Sequence, residues 1–228
     1  MPAAAAFHFQ DTHRLVSTRF PTAGILDGVA GPEDLRWVFE LHAWTNDRIS
    51  AELGYLHVLP RSEWVFGRPY SSVIMASFCH PRADGGRFNG PERGAWYAAR
   101  SLETAHAETI YHRTAELSEI GFFEARVQLR LYLADFDAVL HDIRPPIPEN
   151  EAYHNPASYA VSQGLGRSLL DEGSNGVVYR SARHPDGECI AAFWPKLVEN
   201  VRIAAHFEYR WDGTPTPSIH RLQGSPVR

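Results

Sequence analysis

Phe123-Glu124-Ala125-Arg126-Val127-Gln128-Leu129-Arg130-Leu131-Tyr132-Leu133 is the stretch whose reading decides the fold. Phe123, Ala125, Val127, Leu129, Leu131 and Leu133 alternate strictly with polar residues and Tyr132. An extended chain points successive side chains to opposite faces, so this period of two predicts a strand with one buried face. Val201, Ile203, Ala205, Phe207, Tyr209 and Trp211 repeat the pattern downstream and predict a second strand of the same kind. Shorter strands are expected over residues 177–181 and 189–194, joined by the turn His184-Pro185-Asp186-Gly187. Helices and strands are interspersed, but hairpin-like connections dominate the second half. That combination predicts an α+β fold of mixed, largely antiparallel sheets flanked by helices, rather than a doubly wound sheet.

Working outward, Ser101 is placed to cap a helix over residues 102–116, and residues 96–99 read as a short strand before it. Residues 72–79 are short and apolar and read as a strand leading into the turn at 81–86. Residues 32–53 read as a helix, with Pro32 in its first turn and Gly54 after its end. Leu35, Trp37, Val38, Phe39, Leu41, Trp44, Ile49 and Leu53 cover most of its circumference, so it is buried by the domain or by a partner chain. Pro145-Pro146-Ile147-Pro148 breaks the chain into a loop. Asn155-Pro156 opens a further helix that runs to about Glu172 and stops at Gly173. The tail from Thr214, rich in proline and serine, is expected to be loosely ordered.

The chain has 228 residues, enough for one domain with a substantial core. A net charge of −5 and a single lysine, Lys196, argue against direct nucleic-acid binding, which needs a basic excess. Cys79 and Cys189 do not make a disulfide framework. The N-terminus lacks the basic and apolar regions of a secretory signal, and no apolar run approaches the roughly 20 residues that span a bilayer. A cytoplasmic protein is the expectation.

The chemistry-bearing residues form a spaced set. Arg87 follows Gly85-Gly86, where backbone can approach a ligand closely, and its guanidinium offers a planar fork of donors to phosphate or carboxylate. Tyr97 follows in the strand at 96–99 and offers a ring face. Glu108, in Ala105-His106-Ala107-Glu108, has small apolar neighbours that suggest burial, and a buried carboxylate needs a partner or a task. Taken singly, each has a plainer reading: a surface arginine, a packed aromatic, and a glutamate paired with Arg113 or His112.

Together, the gaps from Arg87 to Tyr97 and from Tyr97 to Glu108, with the Tyr179-Arg180-Ser181 element, resemble the RES-domain family of NAD-degrading toxins from bacterial toxin–antitoxin pairs. The likeness covers residues 86–112 and 173–193, and more faintly from Leu165 onward. It is weakest over residues 27–73, which read as a divergent or inserted segment of one domain spanning 1–228. His13-Arg14-Leu15-Val16 resembles the family's opening strand, which makes Arg14 a second phosphate candidate. The resemblance implies an ADP-ribosyltransferase-like core and NAD as a consumed substrate rather than a cofactor, with inorganic phosphate as a possible co-substrate. It implies catalytic roles for Arg87, Tyr97, Glu108 and Ser181, and substrate contacts from Arg14, Asn89 and Tyr179. It also implies a cognate antitoxin and allows a homodimer. Transfer of ADP-ribose to a protein, or a non-catalytic partner-binding role on the same fold, are the alternatives.

Other constellations fall short. Glu108 and His112 are four apart and suit one metal, but His106 is on another face and no HExxH motif occurs, so no metal is expected. Gly164-Leu165-Gly166 lacks the preceding strand and third glycine of a dinucleotide fold, and Ser181 lacks a nucleophile elbow. Trp37, Trp44, Phe122 and Phe123 read as core.

Overall fold

The computed structural model describes residues 1–20, 22, 24–28 and 55–223. Among these, strands β1 (Ala4–Ser17), β2 (Trp96–Ala99), β3 (Glu124–Asp142), β4 (Gly176–Arg180), β5 (Glu188–Ala192), β6 (Glu199–Asp212) and β7 (Ser218–Leu222) form one sheet. Its order is β1-β2-β5-β4-β3-β6-β7, and β1 also pairs with β3. The first five strands therefore run round into a ring, and β6 and β7 extend from it. Pairings among the described residues are antiparallel except β3 with β4, which meet in parallel at His141↔Val177 and Asp142↔Val178. With helices α1 (Ile25–Gly28), α2 (Ser71–Cys79), α3 (Leu102–Ile120), α4 (Pro148–Glu151) and α5 (Ala160–Asp171), this is the expected α+β architecture.

β3 explains the layout. Its odd-numbered Leu129 and Leu131 pack with Phe207, Tyr209 and Trp211 of β6, under Leu102, Ile110 and Leu117 of α3. Its even-numbered Tyr132, Ala134, Phe136, Ala138 and Leu140 enter a second core with Phe78, Trp96, Val178 and Ile190. The strand thus changes its buried face along its length, between Leu131 and Tyr132. A third core lies under α5, where Leu165 and Leu169 meet Phe88, Val177, Tyr179, Cys189 and Ala191. β4 alternates between these last two cores, Val178 on one side and Val177 and Tyr179 on the other. That alternation turns Tyr179 toward the face that carries the cleft.

The ends of α3 follow from local chemistry. Ser101 Oγ accepts a hydrogen bond from Thr104 N at 3.2 Å, and such a cap contributes about 1 kcal/mol. Gly121 ends the helix at φ 65°, a conformation glycine adopts without a Cβ penalty.

Three expectations are corrected. Residues 72–79 are not a strand but lie in α2, which buries Ile74, Met75, Phe78 and Cys79. A short apolar run lacks the length to separate the two periods. The helix expected from Asn155 starts only at Ala160. Residues 152–154 form a separate 3-10 turn, and Asn155, with φ −52° and ψ 120°, leaves the helical region, as the residue before a proline prefers. The tail from Thr214 is not loose throughout, since β7 pairs with β6 from His206↔Leu222 to Arg210↔Ser218. The helix predicted over residues 32–53 lies outside the described residues, as does 29–54 of the segment singled out at 27–73. No helix among the described residues is long and apolar enough to cross a membrane.

Candidate active site

A cleft of about 1070 Å³ opens over β2 and β4, at the upper end of the roughly 300–1,000 Å³ typical of small-molecule sites. Tyr97 and Tyr179 contribute to its floor. Ala105, Glu108, Thr109, His112, Glu116 and Glu119 of α3 line one wall, the helical three-and-four spacing that puts side chains on one face. The turn at residues 84–89 and Tyr159 and Gln163 beside it supply further lining.

Arg87 is carried by that turn and is 7% exposed. Gly85 has φ +74°, and a Cβ there would lie 2.2 Å from Asn89 O. At Gly86 a Cβ would meet Asn89 Oδ1 at 2.5 Å and the Tyr97 hydroxyl at 2.7 Å. The glycine pair is therefore required by the turn and by the tyrosine reaching into it. Tyr97 donates its hydroxyl to Asn89 Oδ1 at 2.7 Å and accepts from Phe88 N at 2.9 Å. Asn89 Nδ2 donates to Gly90 O and Arg93 O. Gln163 Nε2 adds bonds to Asp84 O and Gly86 O at 2.8 and 3.0 Å. The Arg87 guanidinium donates through Nη1 to Tyr153 O and Asn155 O, at 3.2 and 2.9 Å. It also lies over the Tyr159 ring, 4.5 Å from the centroid.

Glu108 and Ser181 meet across 73 residues of sequence: Ser181 Oγ donates to Glu108 Oε1 at 2.6 Å. The serine oxygen in turn accepts from Arg183 N and His184 N, both at 3.0 Å. Those two N–H groups fix the hydroxyl so that its one proton points at the carboxylate. Arg113 pairs instead with Glu116 at 2.6 Å, so the plainer reading of Glu108 as its partner does not hold.

Arg14 lies deep in the same cleft. Its Nη1 donates to Tyr97 O at 2.8 Å and its guanidinium lies 4.7 Å from the centre of the Trp96 ring. Nε is buried with no hydrogen-bond partner among the described residues. Burial pulls the Arg14 pKa down to about 10, against an opposing contribution from Tyr97, so the group is still a cation at neutral pH. Burial also raises Tyr97 and Tyr179 above the ordinary phenol range; both remain protonated donors. Tyr179 packs edge-on against Phe88, with centroids 4.9 Å apart. His112 is pulled down to about 4, by burial first and then by Arg82 and Arg183. The imidazole one turn along from Glu108 is therefore neutral at physiological pH. Among the described residues no group of three or more His, Cys, Asp or Glu is arranged to hold a metal.

The fold thus gathers Arg14, Arg87, Asn89, Tyr97, Glu108 and Tyr179 around one cleft, with Ser181 reaching it through Glu108. Asn89 and the Tyr97 hydroxyl are engaged in holding the turn. Sequence reasoning missed Tyr159, Gln163 and the carbonyls of Tyr153 and Asn155. Only Asn155-Pro156 carried a signal there, as a helix-breaking pair, and a backbone carbonyl has no signature in side-chain identity.

An α+β domain with a sheet-floored cleft, lined by buried arginine and by a serine-held glutamate, is the class of protein that the fold and site define. Residues 59–212, more than half of the chain, match the model of the RES domain, and the chain belongs to that family. It is 26% identical over 220 residues to the uncharacterized protein y4oC of Sinorhizobium fredii (strain NBRC 101917 / NGR234), across 95% of this chain and 90% of that one. The crystal structure of the M. tuberculosis MbcT–MbcA toxin–antitoxin complex contains a chain with 13% identity and a TM-score of 0.48, covering 89% of this chain and 86% of that one.

Proposed function

We propose that this RES-family protein is the toxin of a toxin–antitoxin pair and depletes NAD by cleaving the bond between nicotinamide and ribose. Inorganic phosphate is the proposed acceptor, with water as the alternative. The observation that carries the reading is the 2.6 Å bond from Ser181 to Glu108 in a cleft that also holds Arg87. When the C–N bond breaks, its electron pair goes to the ring nitrogen and nicotinamide leaves neutral. Positive charge then builds on the ribose, as in glycoside cleavage. No strong acid is needed. A carboxylate held in place before the reaction stabilises that charge without reorganising, which is commonly the largest catalytic contribution.

In this reading Glu108 faces the ribose, and Ser181 keeps one carboxylate oxygen aimed. Arg87, fixed by two carbonyls and the Tyr159 ring, grips a phosphate with the remainder of its fork. Arg14 adds a second cation, and Tyr179 and the ring of Tyr97 receive the nicotinamide end. A cognate antitoxin protein completes the proposal.

The test is incubation of pure protein with NAD, with and without inorganic phosphate, and measurement of free nicotinamide and of the sugar product. Nicotinamide release and a phosphorylated sugar product are expected, together with a fall in cellular NAD and arrested growth when the chain is expressed alone in bacteria. Soluble, folded protein that leaves NAD intact in both assays sinks the proposal. Label from NAD appearing on a protein would redirect it to ADP-ribosyl transfer.

A further inference from the structure

The end of α4, the 3-10 turn Ala152–His154 and Asn155 form a strap beside the end of β4. Tyr153 O and Asn155 O of this strap hold Arg87 Nη1. His154 stands between them in sequence, and its ring ties the strap down at both nitrogens. Nδ1 is 2.8 Å from Asn150 O, and Arg180 N is 3.1 Å from Nε2. A carbonyl only accepts and a backbone N–H only donates, so these partners fix the tautomer. Nδ1 carries the proton and donates to Asn150. Nε2 is bare and accepts from Arg180. Arg180 directly precedes Ser181, the serine that holds Glu108. One neutral imidazole therefore links the carbonyls that grip Arg87 to the backbone beside Ser181, the partner of Glu108.

We propose that His154 is a positioning residue that keeps Arg87 aimed into the cleft only while its imidazole is neutral. This rests on the reading of Arg87 as the phosphate grip. A second proton would sit on Nε2 and face the Arg180 N–H, donor against donor, and the strap would lose its tie to β4. The charged groups facing the ring are Arg180 from β4, Arg87 from the glycine turn and Glu151 from α4. Arg180 and Glu151 also pair with each other at 2.6 Å, a second clasp across the same junction. Burial, then the charges of Arg180 and Arg87, hold His154 below its ordinary value of 6.5, against the Asn150 carbonyl and Glu151. The folded pKa lies below the unfolded one. The stability His154 provides is thus present above pH 6.5 and is lost as the pH falls through the folded value. Loosening belongs to the acid side.

The test follows the His154 ring nitrogens and the Arg87 Nε–H by NMR as the pH is lowered from about 8 to about 5, the range in which histidines titrate. The Nδ1–H tautomer is expected at the upper end, with the Arg87 signal shifting in step with protonation of His154. In His154→Gln, whose amide oxygen can accept from Arg180 N–H and does not titrate, the Arg87 signal should stay fixed. In NAD cleavage, His154→Ala should raise KM by about tenfold, the scale of one lost hydrogen bond, with less change in kcat. His154→Gln should recover most of that affinity and flatten the acid limb of the pH profile. An Arg87 signal indifferent to His154, or a folded Ala variant with the parent's KM at every pH, overturns the proposal. If the parent releases no nicotinamide, the reading of the site fails instead, and the NMR titration still decides whether His154 positions Arg87.

Discussion

Glu108 and Arg87, two charged groups of the cleft, are held in opposite ways. Glu108 stands on a nineteen-residue helix, and its partner Ser181 directly follows β4. A single short hydrogen bond joins them, backed by two backbone N–H groups on the serine. Arg87 stands on an irregular turn and is fixed by borrowed carbonyls, a tyrosine ring and the Tyr97 hydroxyl network beneath it. Regular elements place the anion with little help, whereas the cation needs many weak supports. Changes at the carboxylate should therefore act on the chemical step, and changes around the arginine on binding and local stability.

The largest effect is expected at the carboxylate. Glu108→Gln keeps the shape and an oxygen to accept from Ser181 but removes the charge. Turnover should fall by about 10²-fold or more with little change in KM, the pattern for a group used mainly in the transition state. Steady-state kinetics on folded mutant protein checks this, and a kcat near that of the parent would return Glu108 to a structural role.

Arg87→Lys comes next and should be nearly as damaging as Arg87→Ala. Lysine keeps the charge but loses the fork that can reach two carbonyls and a phosphate together. A loss of about tenfold or more in kcat/KM, carried mostly by KM, is expected for both. If Lys retains most activity, Arg87 contributes diffuse charge and the contrast between the two walls weakens.

Tyr97→Phe should show the smallest catalytic effect. It leaves Phe88 N and Asn89 Oδ1 without the hydroxyl, so stability should drop by about 1–3 kcal/mol. Urea unfolding measures that loss, and activity should fall only as far as the turn relaxes. A collapse of kcat at unchanged stability would instead place the hydroxyl in the chemistry.

Much of this was legible beforehand. The alternation at 123–133 and 201–211 identified β3 and β6, which pair antiparallel, because one buried face imposes period two on sequence. Gly85-Gly86 marked the turn, Ser101 marked the helix start, and Arg87, Tyr97 and Glu108 were visible as residue types at characteristic gaps. The second half of β3 was less visible, since Ala134, Phe136, Ala138 and Leu140 bury the opposite face from Leu129 and Leu131. Residues 72–79 read as a strand because so short a run, apolar apart from Ser72 and Ser77, fits either period. Tyr97 was expected to offer its ring, and its hydroxyl proved to be the anchor of the turn.

The amino-acid sequence by itself determined which segments extend, where the chain turns and which side chains are available for chemistry. These are effects of periodicity, caps and glycine that act within a few residues. Only the tertiary structure decided that Ser181 meets Glu108 across 73 residues and that carbonyls 66 and 68 residues downstream hold Arg87. Such pairings follow from strand register and from where a strap lands on the sheet, and a backbone carbonyl is the same group whatever residue carries it.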